Sequence, residues 1–363
     1  MNIKLNIEPL EGWFPKTKEL PLLIAGPCSA ESEEQVIETA KLIEKDHRAM
    51  VYRAGLWKPR TRPGTFEGVG AEGLPWLKRV KKETRLLVAT EVAKGEHVQQ
   101  AIDAGVDILW IGARTSVNPF SVQEIADALK GHDIPVLVKN PINPDLQLWI
   151  GALERINQAG ITKLGAIHRG FSPNSESKYR NDPKWKIAIE LKRLLPDLPI
   201  VCDPSHIGGS RELIEPVAQK AFDLQMEGLM IETHFNPDVA LSDAKQQVTP
   251  ARLKTILDNI ILRRSESAND AFVESLKDIR SKIDQVDDDL IKLLGKRMAL
   301  VDEIGEAKKE NNVTILQVGR YENILNDKVA KGEDENLSAD FVKSIYEFIH
   351  QNSIKRQEKI MNE

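Results

Sequence analysis

Between residue 20 and about residue 262, the sequence repeats one pair of segments, a short apolar run followed by an amphipathic stretch. Such runs are typical of strands buried on both faces of a parallel sheet, and the amphipathic stretches are typical of the helices between them. Eight pairs are present, with strands predicted at 22–25, 50–52, 86–89, 108–111, 136–138, 163–167, 200–202 and 229–231. A doubly wound sheet would more often show fewer repeats and a glycine-rich first turn, so the pattern favours a closed (β/α)₈ TIM barrel.

A second architecture follows. The polar segment around residues 263–270 has no periodicity and is typical of a linker. Beyond it, apolar residues recur at alternating steps of three and four, which predicts one long helix with a heptad-like seam. The seam residues are Phe272, Leu276, Ile279, Ile283, Val286, Leu290, Leu293, Leu300, Ile304 and Ala307. With further helices near 321–330 and 337–359, we predict a barrel in 1–262, a linker in 263–271 and an all-α domain in 272–363.

Charge and cysteine content argue against several classes of protein. The formal net charge of −5 leaves no overall basic surface of the kind that nucleic-acid binding needs. Cys28 and Cys202 are too few for a secreted disulfide framework, and the first residues do not resemble a signal peptide. No apolar run is long enough to span a membrane. We therefore expect a cytoplasmic protein that acts on small molecules, without nucleic-acid or membrane partners.

Potential metal ligands follow strands that a closed barrel makes neighbours. Cys28 follows strand 1 in GPCS, His206 follows strand 7 in DPSH, Glu232 ends strand 8, and Asp243 lies in the next loop. Residues just past the carboxyl ends of TIM-barrel strands point into one mouth, where the active site lies. A thiolate, an imidazole and two carboxylates suit Mn²⁺, Fe²⁺, Co²⁺ or Zn²⁺ better than Mg²⁺, which prefers oxygen. Each residue alone is more often structural, so this prediction depends on their joint placement.

Basic residues occupy the corresponding positions after strands 2, 4, 5 and 6. They are Arg53, Lys58, Arg60, Arg114, Lys139 and Arg169. Basic residues usually form a solvated surface, but cations placed together in a protein of negative net charge repel one another without bound anions. Arginine and lysine are also the side chains that phosphate and carboxylate groups require. We therefore expect substrates with several negative charges.

The motifs GPCS, RAGLWKPRT, IGART and DPSH, with Glu232 and Asp243, resemble those of the type I beta 3-deoxy-D-arabino-heptulosonate 7-phosphate (DAHP) synthases over the whole barrel. Ketodeoxyoctulosonate phosphate synthases have the same kind of metal site but typically have an Asn-rich segment where KPRT stands here. The resemblance implies one divalent metal ion, with Mn²⁺ favoured, bound by Cys28, His206, Glu232 and Asp243. It implies that phosphoenolpyruvate is bound by Arg53, Lys58, Arg114, Lys139 and Arg169, and the phosphate of erythrose 4-phosphate by Arg60 and Thr61.

The reaction implied is an aldol-like condensation that yields DAHP and phosphate. The metal acts as a Lewis acid on the aldehyde while C3 of phosphoenolpyruvate attacks it; water adds at C2, and C–O cleavage releases phosphate. Lys58 is the candidate for proton transfer to the new alkoxide, because a lysine among several cations should have a depressed pKa. Glu91, at the end of strand 3, could orient the water.

Charged residues interrupt the seam of the long helix, with Arg297 between two apolar positions and Lys308 after a third. A guanidinium on a seam is costly unless paired, so Arg297 is either a ligand for an anion or a device that fixes a coiled-coil register. At roughly 1.5 Å per residue, Arg280 lies about 25 Å from Arg297, too far to bind the same small dianion. Arg280 of a second chain would have to complete such a site, which predicts a homodimer through the helical domain.

From about residue 272 to the C-terminus, the motifs IRSKID, KRMALVDEIGEAK, GRYENIL and HQNSIKRQ resemble those of the all-helical chorismate mutases. The resemblance implies that chorismate is bound by Arg280, Arg297, Arg320 and Ser353, while Lys308 and Gln357 hydrogen-bond the ether oxygen as prephenate forms. Two positions depart from the family. Gln317 replaces the usual acidic residue before the third arginine, and Tyr321 replaces the usual glutamate after it, so a weaker mutase activity is expected.

Two functions are consistent with this organisation. One is a bifunctional shikimate-pathway enzyme; the alternative is a DAHP synthase whose helical domain only dimerises the chain and senses chorismate or prephenate. The intact barrel motifs weigh against a third possibility, a relative without activity in either part. Because the barrel pattern starts near residue 20, we expect no separate N-terminal regulatory domain, and we expect the helical domain to regulate the synthase allosterically.

Overall fold

Eight parallel strands form a closed barrel in which each strand pairs with the next and β8 returns to β1. The computed structural model describes residues 4–14, 21–59, 64–173, 176–264 and 266–362. The strands are β1 Leu22–Gly26, β2 Val51–Arg53, β3 Leu87–Val92, β4 Ile108–Ile111, β5 Val136–Lys139, β6 Leu164–His168, β7 Ile200–Cys202 and β8 Gly228–Glu232. Both ends agree with the predicted runs to within one residue for every strand except β3, which continues to Val92. The predicted TIM barrel is confirmed, and the closed pairing excludes a doubly wound sheet.

Helices connect the strands and precede the barrel. They are α1 Leu10–Trp13, α2 Glu33–Glu44, α3 Leu74–Glu83, α4 Gly95–Asp103, α5 Pro119–Leu129, α6 Leu146–Gln158, α7 Trp185–Leu194, α8 Pro204–Gly208, α9 Ile214–Asp223 and α10 Pro250–Asn259. Side-chain caps set several starts: Ser32, Asp145 and Asp203 each accept a hydrogen bond from a backbone N–H in the first turn of the helix that follows. The short helix α8 carries His206, one of the predicted metal ligands.

The barrel interior is filled by buried side chains such as Ile24, Trp110 and Met230. Trp13 and Phe14, in and just after α1, pack into the same cluster. This packing closes the amino-terminal end of the barrel with apolar groups. Polar chemistry is therefore left to the carboxyl end, as is usual for TIM barrels.

Residues 266–363 form a second unit, separate from the unit of residues 1–265. It contains α11 Asp270–Glu310, α12 Val318–Asp334 and α13 Ala339–Asn362, so the predicted helical region is confirmed. At Gly305 of α11, an added Cβ would lie 3.2 Å from Ile360 and 3.4 Å from Gln357, which shows how closely α13 packs. In the part of the chain that the structure describes, no helix is both long and apolar enough to cross a membrane.

Candidate functional site

The strand register brings the carboxyl ends of β8 and β1 together. Gly26 of β1 lies opposite Glu232 of β8, and Cys28 follows two residues later. Gly26 has a positive φ of 145°, and a Cβ added there would lie 2.2 Å from the carbonyl oxygen of Arg53. Only glycine allows this approach, so Gly26 lets the turn that carries Cys28 pack against β2.

The predicted metal ligands converge at this point. One donor atom each from Cys28, Glu232 and Asp243 lies within 4.8 Å of the others. His206 Nε2 lies 3.7 Å from Glu232 Oε1 and 3.8 Å from Asp243 Oδ2. Glu232 is fully buried, and its Oε1 has no hydrogen-bond partner among the described residues. Arg53 Nη2 lies 3.3 Å from this oxygen without making a hydrogen bond to it. The buried oxygen therefore still lacks a donor, and a thiol, an imidazole and two carboxylates around it fit a divalent metal ion.

The protonation state of the Cys28 thiol depends on its buried position among these carboxylates. Burial, with the negative charge of Glu232, raises the pKa of Cys28 to about 12 in the metal-free protein. The thiol is therefore protonated at neutral pH until a metal ion displaces the proton. A thiolate beside an imidazole favours a transition metal over Mg²⁺.

Asp203 lies against two of the predicted site residues, Lys139 and His206. Its Oδ2 lies 2.8 Å from Lys139 Nζ and 2.8 Å from His206 Nδ1. The contact with His206 is an electrostatic one, because the two atoms are close but the hydrogen-bond geometry is not satisfied. Burial raises the pKa of Asp203, but the charges of His206 and Lys139 hold it well below its usual range. Burial lowers the pKa of His206 and so favours the neutral ring that a metal requires.

The predicted cations line the same cavity as the metal-ligand candidates. Lys58, Arg114, Lys139 and Arg169 all contribute to its wall. Arg53 lies behind it, fully buried, with its guanidinium carbon 4.9 Å from the centre of the Trp110 ring. Two of its nitrogen atoms, Nε and Nη1, have no hydrogen-bond partner among the described residues. Arg53, Lys139 and Arg169 are buried, Lys58 is half-buried and Arg114 is exposed. Such a group of cations around one cavity suits an anionic substrate.

Two expectations about these cations need correction. Part of their charge is balanced by the protein itself, since Lys58 Nζ lies 3.5 Å from Glu91 Oε2 and Lys139 pairs with Asp203. The predicted depression of the Lys58 pKa is wrong: burial lowers it, but the acidic groups Cys28 and Glu91 beside it raise it above its ordinary value. The sequence does not show how close these two groups lie to Lys58. Arg60 and Thr61 lie outside the described residues.

Three residues of the site were missed by the sequence analysis. Arg180 Nη1 donates to Asp243 Oδ1 at 2.8 Å, Gln246 Nε2 donates to Glu232 Oε2 at 2.6 Å, and Gln247 Oε1 accepts from Cys28 N at 3.0 Å. None of them directly follows a strand, so the rule that found the other residues could not find these. The only available signal was that the two glutamines lie within four residues of Asp243.

The helical unit has its own group of polar residues between α11 and α13. Arg297 Nη1 donates to Ser353 Oγ at 2.8 Å, and Lys308 Nζ donates to the carbonyl oxygen of Ile315 at 2.5 Å. Ser353 and Gln357 are buried, and Gln357 Oε1 has no hydrogen-bond partner among the described residues. A buried amide oxygen without a donor is consistent with a polar ligand site.

The other predicted residues of that site are more open. Arg280 and Arg320 are exposed. Tyr321 stacks on His350 with ring centres 4.0 Å apart, and burial together with the charge of Arg297 lowers the pKa of His350. The position where the family usually has glutamate is therefore occupied by an aromatic pair.

Comparison with known families decides the assignment. The model described as the DAHP synthetase I family matches residues 16–266, well over half of the chain. The chain belongs to the DAHP synthetase I family. Residues 279–358 match chorismate mutase type II, so the chain combines a DAHP synthetase I barrel with a mutase-family helical unit.

Individual relatives agree with this assignment. Phospho-2-dehydro-3-deoxyheptonate aldolase from Thermotoga maritima is 35% identical over 226 residues, which is 62% of this chain and 64% of that relative. The chain thus spans just under two thirds of that relative's length. 2-Dehydro-3-deoxyphosphooctonate aldolase from Variovorax paradoxus is 27% identical over 280 residues, covering 70% of this chain and 94% of that protein. The solved DAHP synthase from Thermotoga maritima matches with a TM-score of 0.59 and 30% identity, over 66% of this chain and 67% of that one.

Proposed function

We propose that the barrel condenses phosphoenolpyruvate with erythrose 4-phosphate to give DAHP and phosphate. The observation that carries the proposal is the convergence of Cys28, His206, Glu232 and Asp243 on one point of a cavity whose wall also carries several cations. One divalent ion held there, with Mn²⁺ favoured and Fe²⁺, Co²⁺ or Zn²⁺ as alternatives, would supply Lewis-acid chemistry to a substrate carbonyl. The segment that contains Lys58 and Pro59 favours DAHP over the phosphooctonate product of the related aldolases.

The other residues bind and position the substrates. Arg114, Lys139 and Arg169, which line the cavity, would hold the phosphate and carboxylate of phosphoenolpyruvate together with the buried Arg53. Lys58, with its raised pKa, is charged at neutral pH and can donate a proton from Nζ to a developing alkoxide. Glu91, 3.5 Å from that Nζ, holds the ammonium in place and can accept a proton from water.

We propose that the helical unit rearranges chorismate to prephenate. Arg297, Ser353 and Gln357 form one side of a site in which binding geometry and electrostatics select the reactive conformer, with no covalent step. Lys308 and Gln357 would face the ether oxygen, and Arg320 a carboxylate. The Tyr321–His350 stack in place of an acidic side chain is the reason to expect a slower reaction.

The homodimer is proposed from one face of α11. Ile279, Ile283, Val286, Leu290 and Leu293 recur at steps of four and three residues, and their exposed fractions run from 50% to 67%. A monomer rarely leaves such a continuous apolar stripe in water, and the spacing is that of a helix-pairing seam. In the dimer, Arg280 of the partner subunit would complete each mutase site.

The alternative role of the helical unit, feedback sensing, predicts a coupling that can be measured. A ligand such as prephenate at Arg297 would lower the synthase rate if it favours one of two states with a coupling of about 1–3 kcal/mol. Synthase rate against prephenate concentration, for the wild type and for Arg297→Ala, tests this. Inhibition that is equal in the two proteins, or absent from both, would contradict it.

The experiment that tests the two activities is direct. Purified protein is assayed for DAHP formation and for chorismate consumption, each with and without EDTA. The proposal expects EDTA to stop only the first reaction, because the mutase step needs no metal. DAHP formation that survives complete metal removal would contradict the barrel assignment. A sugar phosphate one carbon longer than erythrose 4-phosphate serves as the control substrate. We also place the protein in the cytoplasm, where we expect its substrates.

A further inference from the structure

Each carboxylate of the candidate metal site has one oxygen held by another side chain. Glu232 Oε2 accepts from Gln246 Nε2 at 2.6 Å, and Asp243 Oδ1 accepts from Arg180 Nη1 at 2.8 Å. The same Arg180 nitrogen donates to Gln246 Oε1 at 2.5 Å. These contacts form a continuous chain, Glu232–Gln246–Arg180–Asp243, which we call the clasp.

The clasp holds Glu232 Oε2 and Asp243 Oδ1, so the other oxygen of each carboxylate, Glu232 Oε1 and Asp243 Oδ2, lies outside it. These two oxygens lie 3.7 Å and 3.8 Å from His206 Nε2, and Arg53 Nη2 lies 3.3 Å from Glu232 Oε1. Asp243 Oδ2 also lies 3.5 Å from Cys28 Sγ. A carboxylate can bind a metal through one oxygen or through both, and the clasp occupies the second oxygen of each side chain.

The clasp is built from separate segments that are themselves fixed. Gln246 is buried, with 1% of its surface exposed, and ends the short 3-10 turn that follows Asp243. Asp243 adopts a left-handed backbone conformation, with φ of 50°, which is uncommon outside glycine and costs energy.

Arg180 reaches the clasp from the segment between β6 and α7. Its backbone N–H donates to the carbonyl oxygen of Gly208 at 3.3 Å. A Cβ added at Gly209, which has a positive φ of 69°, would lie 2.3 Å from Cβ of Arg180. A glycine just after α8 therefore permits the close approach that delivers the guanidinium.

We propose that Gln246 and Arg180 are positioning residues that make Glu232 and Asp243 bind the metal through one oxygen each. Four protein ligands that each gave one atom would leave open positions for substrate oxygen, as catalytic sites require. This inference depends on the proposed metal site and adds a role for residues that touch no metal themselves. Loss of partners that orient metal ligands typically weakens metal binding 10- to 100-fold.

Two substitutions of Gln246 separate orientation from packing. Gln246→Met keeps the length of the side chain and removes both hydrogen bonds. Gln246→Glu keeps the acceptor for Arg180 but places a negative charge, instead of an N–H donor, against Glu232 Oε2. We expect both substitutions to weaken Co²⁺ binding by about 10- to 100-fold. The loss of affinity in Gln246→Glu should equal or exceed the loss in Gln246→Met. The measurement is calorimetric titration of metal-free, full-length protein with Co²⁺, together with the absorption of the thiolate–cobalt bond.

Arg211→Ala is the matched control. Arg211 holds the same segment through the carbonyl oxygens of Gln247 at 2.8 Å and Ala244 at 3.1 Å, and its side-chain hydrogen bonds within the described part of the chain reach no candidate ligand. We expect its Co²⁺ affinity to stay near that of the wild type. At saturating metal, the KM for phosphoenolpyruvate should change by less than about twofold in the Gln246 variants, since the clasp holds carboxylates and not substrate.

Three results would overturn the proposal: wild-type Co²⁺ affinity in both Gln246 variants, tighter binding by Gln246→Glu than by Gln246→Met, or an equal loss in Arg211→Ala. The Cys28→Ala protein identifies a different failure. If it binds Co²⁺ as the wild type does, Cys28 is not a metal ligand and the proposed metal site is wrong. The role proposed for the clasp would then fail because its metal site is wrong, and not because of the Gln246 results.

Discussion

Replacing Asp203 with asparagine removes one buried negative charge and changes the shape of the side chain very little. The carboxylate is fully buried, and its Oδ2 lies 2.8 Å from both Lys139 Nζ and His206 Nδ1. Lys139 is itself buried, so it would be left as a buried cation without its partner. The cap of α8 should survive, because asparagine caps a helix about as well as aspartate.

The expected effect is large for a single isosteric change. Removing one partner of a buried ion pair destabilises a protein by about 3–5 kcal/mol. Asp133 is the matched control: its Oδ2 lies 2.7 Å from Lys163 Nζ, but its side chain is 78% exposed. Exposed pairs contribute little, so Asp133→Asn should leave the free energy of unfolding unchanged. The two pairs have nearly the same length and differ in burial.

The pH dependence has a defined sign. The pKa of Asp203 is held well below its usual range in the folded protein. Its contribution is therefore fully present above the unfolded pKa, at about pH 4, and is lost as the pH falls further. The difference in stability between the wild type and Asp203→Asn should be constant near neutral pH and should shrink in acid.

Tryptophan fluorescence during urea unfolding is the appropriate assay. Every tryptophan of the chain, from Trp13 to Trp185, lies in the barrel unit, so the signal does not report the helical unit. EDTA is included so that lost metal binding does not add to the change. The reasoning would be refuted if Asp203→Asn unfolded within about 1 kcal/mol of the wild type at neutral pH, or if Asp133→Asn lost as much.

Three further predictions follow from the two sites. Cys28→Ala or His206→Ala should abolish DAHP formation together with metal binding, since the site has no spare ligand; full activity of metal-free Cys28→Ala would sink the assignment. Arg297→Ala or Lys308→Ala should remove chorismate turnover and leave DAHP formation intact, and unchanged mutase rates would contradict the helical site. Because the pKa of Cys28 is about 12, metal binding should release a proton, and the apparent affinity should rise about tenfold per pH unit near neutrality. Calorimetry in buffers of different ionisation enthalpy measures that proton, and a pH-independent affinity would argue against it.

The strands could be located from the sequence because a parallel strand buried on both faces must be a continuous apolar run. Once the barrel is closed, Cys28 and Asp243 become neighbours although 215 positions separate them, and this follows from topology alone. The long helix could also be predicted from the sequence, since its apolar residues repeat with the helical period. Residues at strand ends and on helix seams are placed by regular backbone geometry, which sequence periodicity reports.

The position of Arg180, the role of Gln246 and the direction of the Lys58 pKa were decided by the tertiary structure. Arg180 reaches Asp243 because its segment packs against the end of α8, and no local pattern encodes that path. The pKa of Lys58 depends on how close Cys28 and Glu91 lie to it, and Glu91 Oε2 is 3.5 Å from its Nζ. Local periodicity determines which elements form, whereas contacts between loops that are distant in the sequence determine which atoms of the site are held and which remain free.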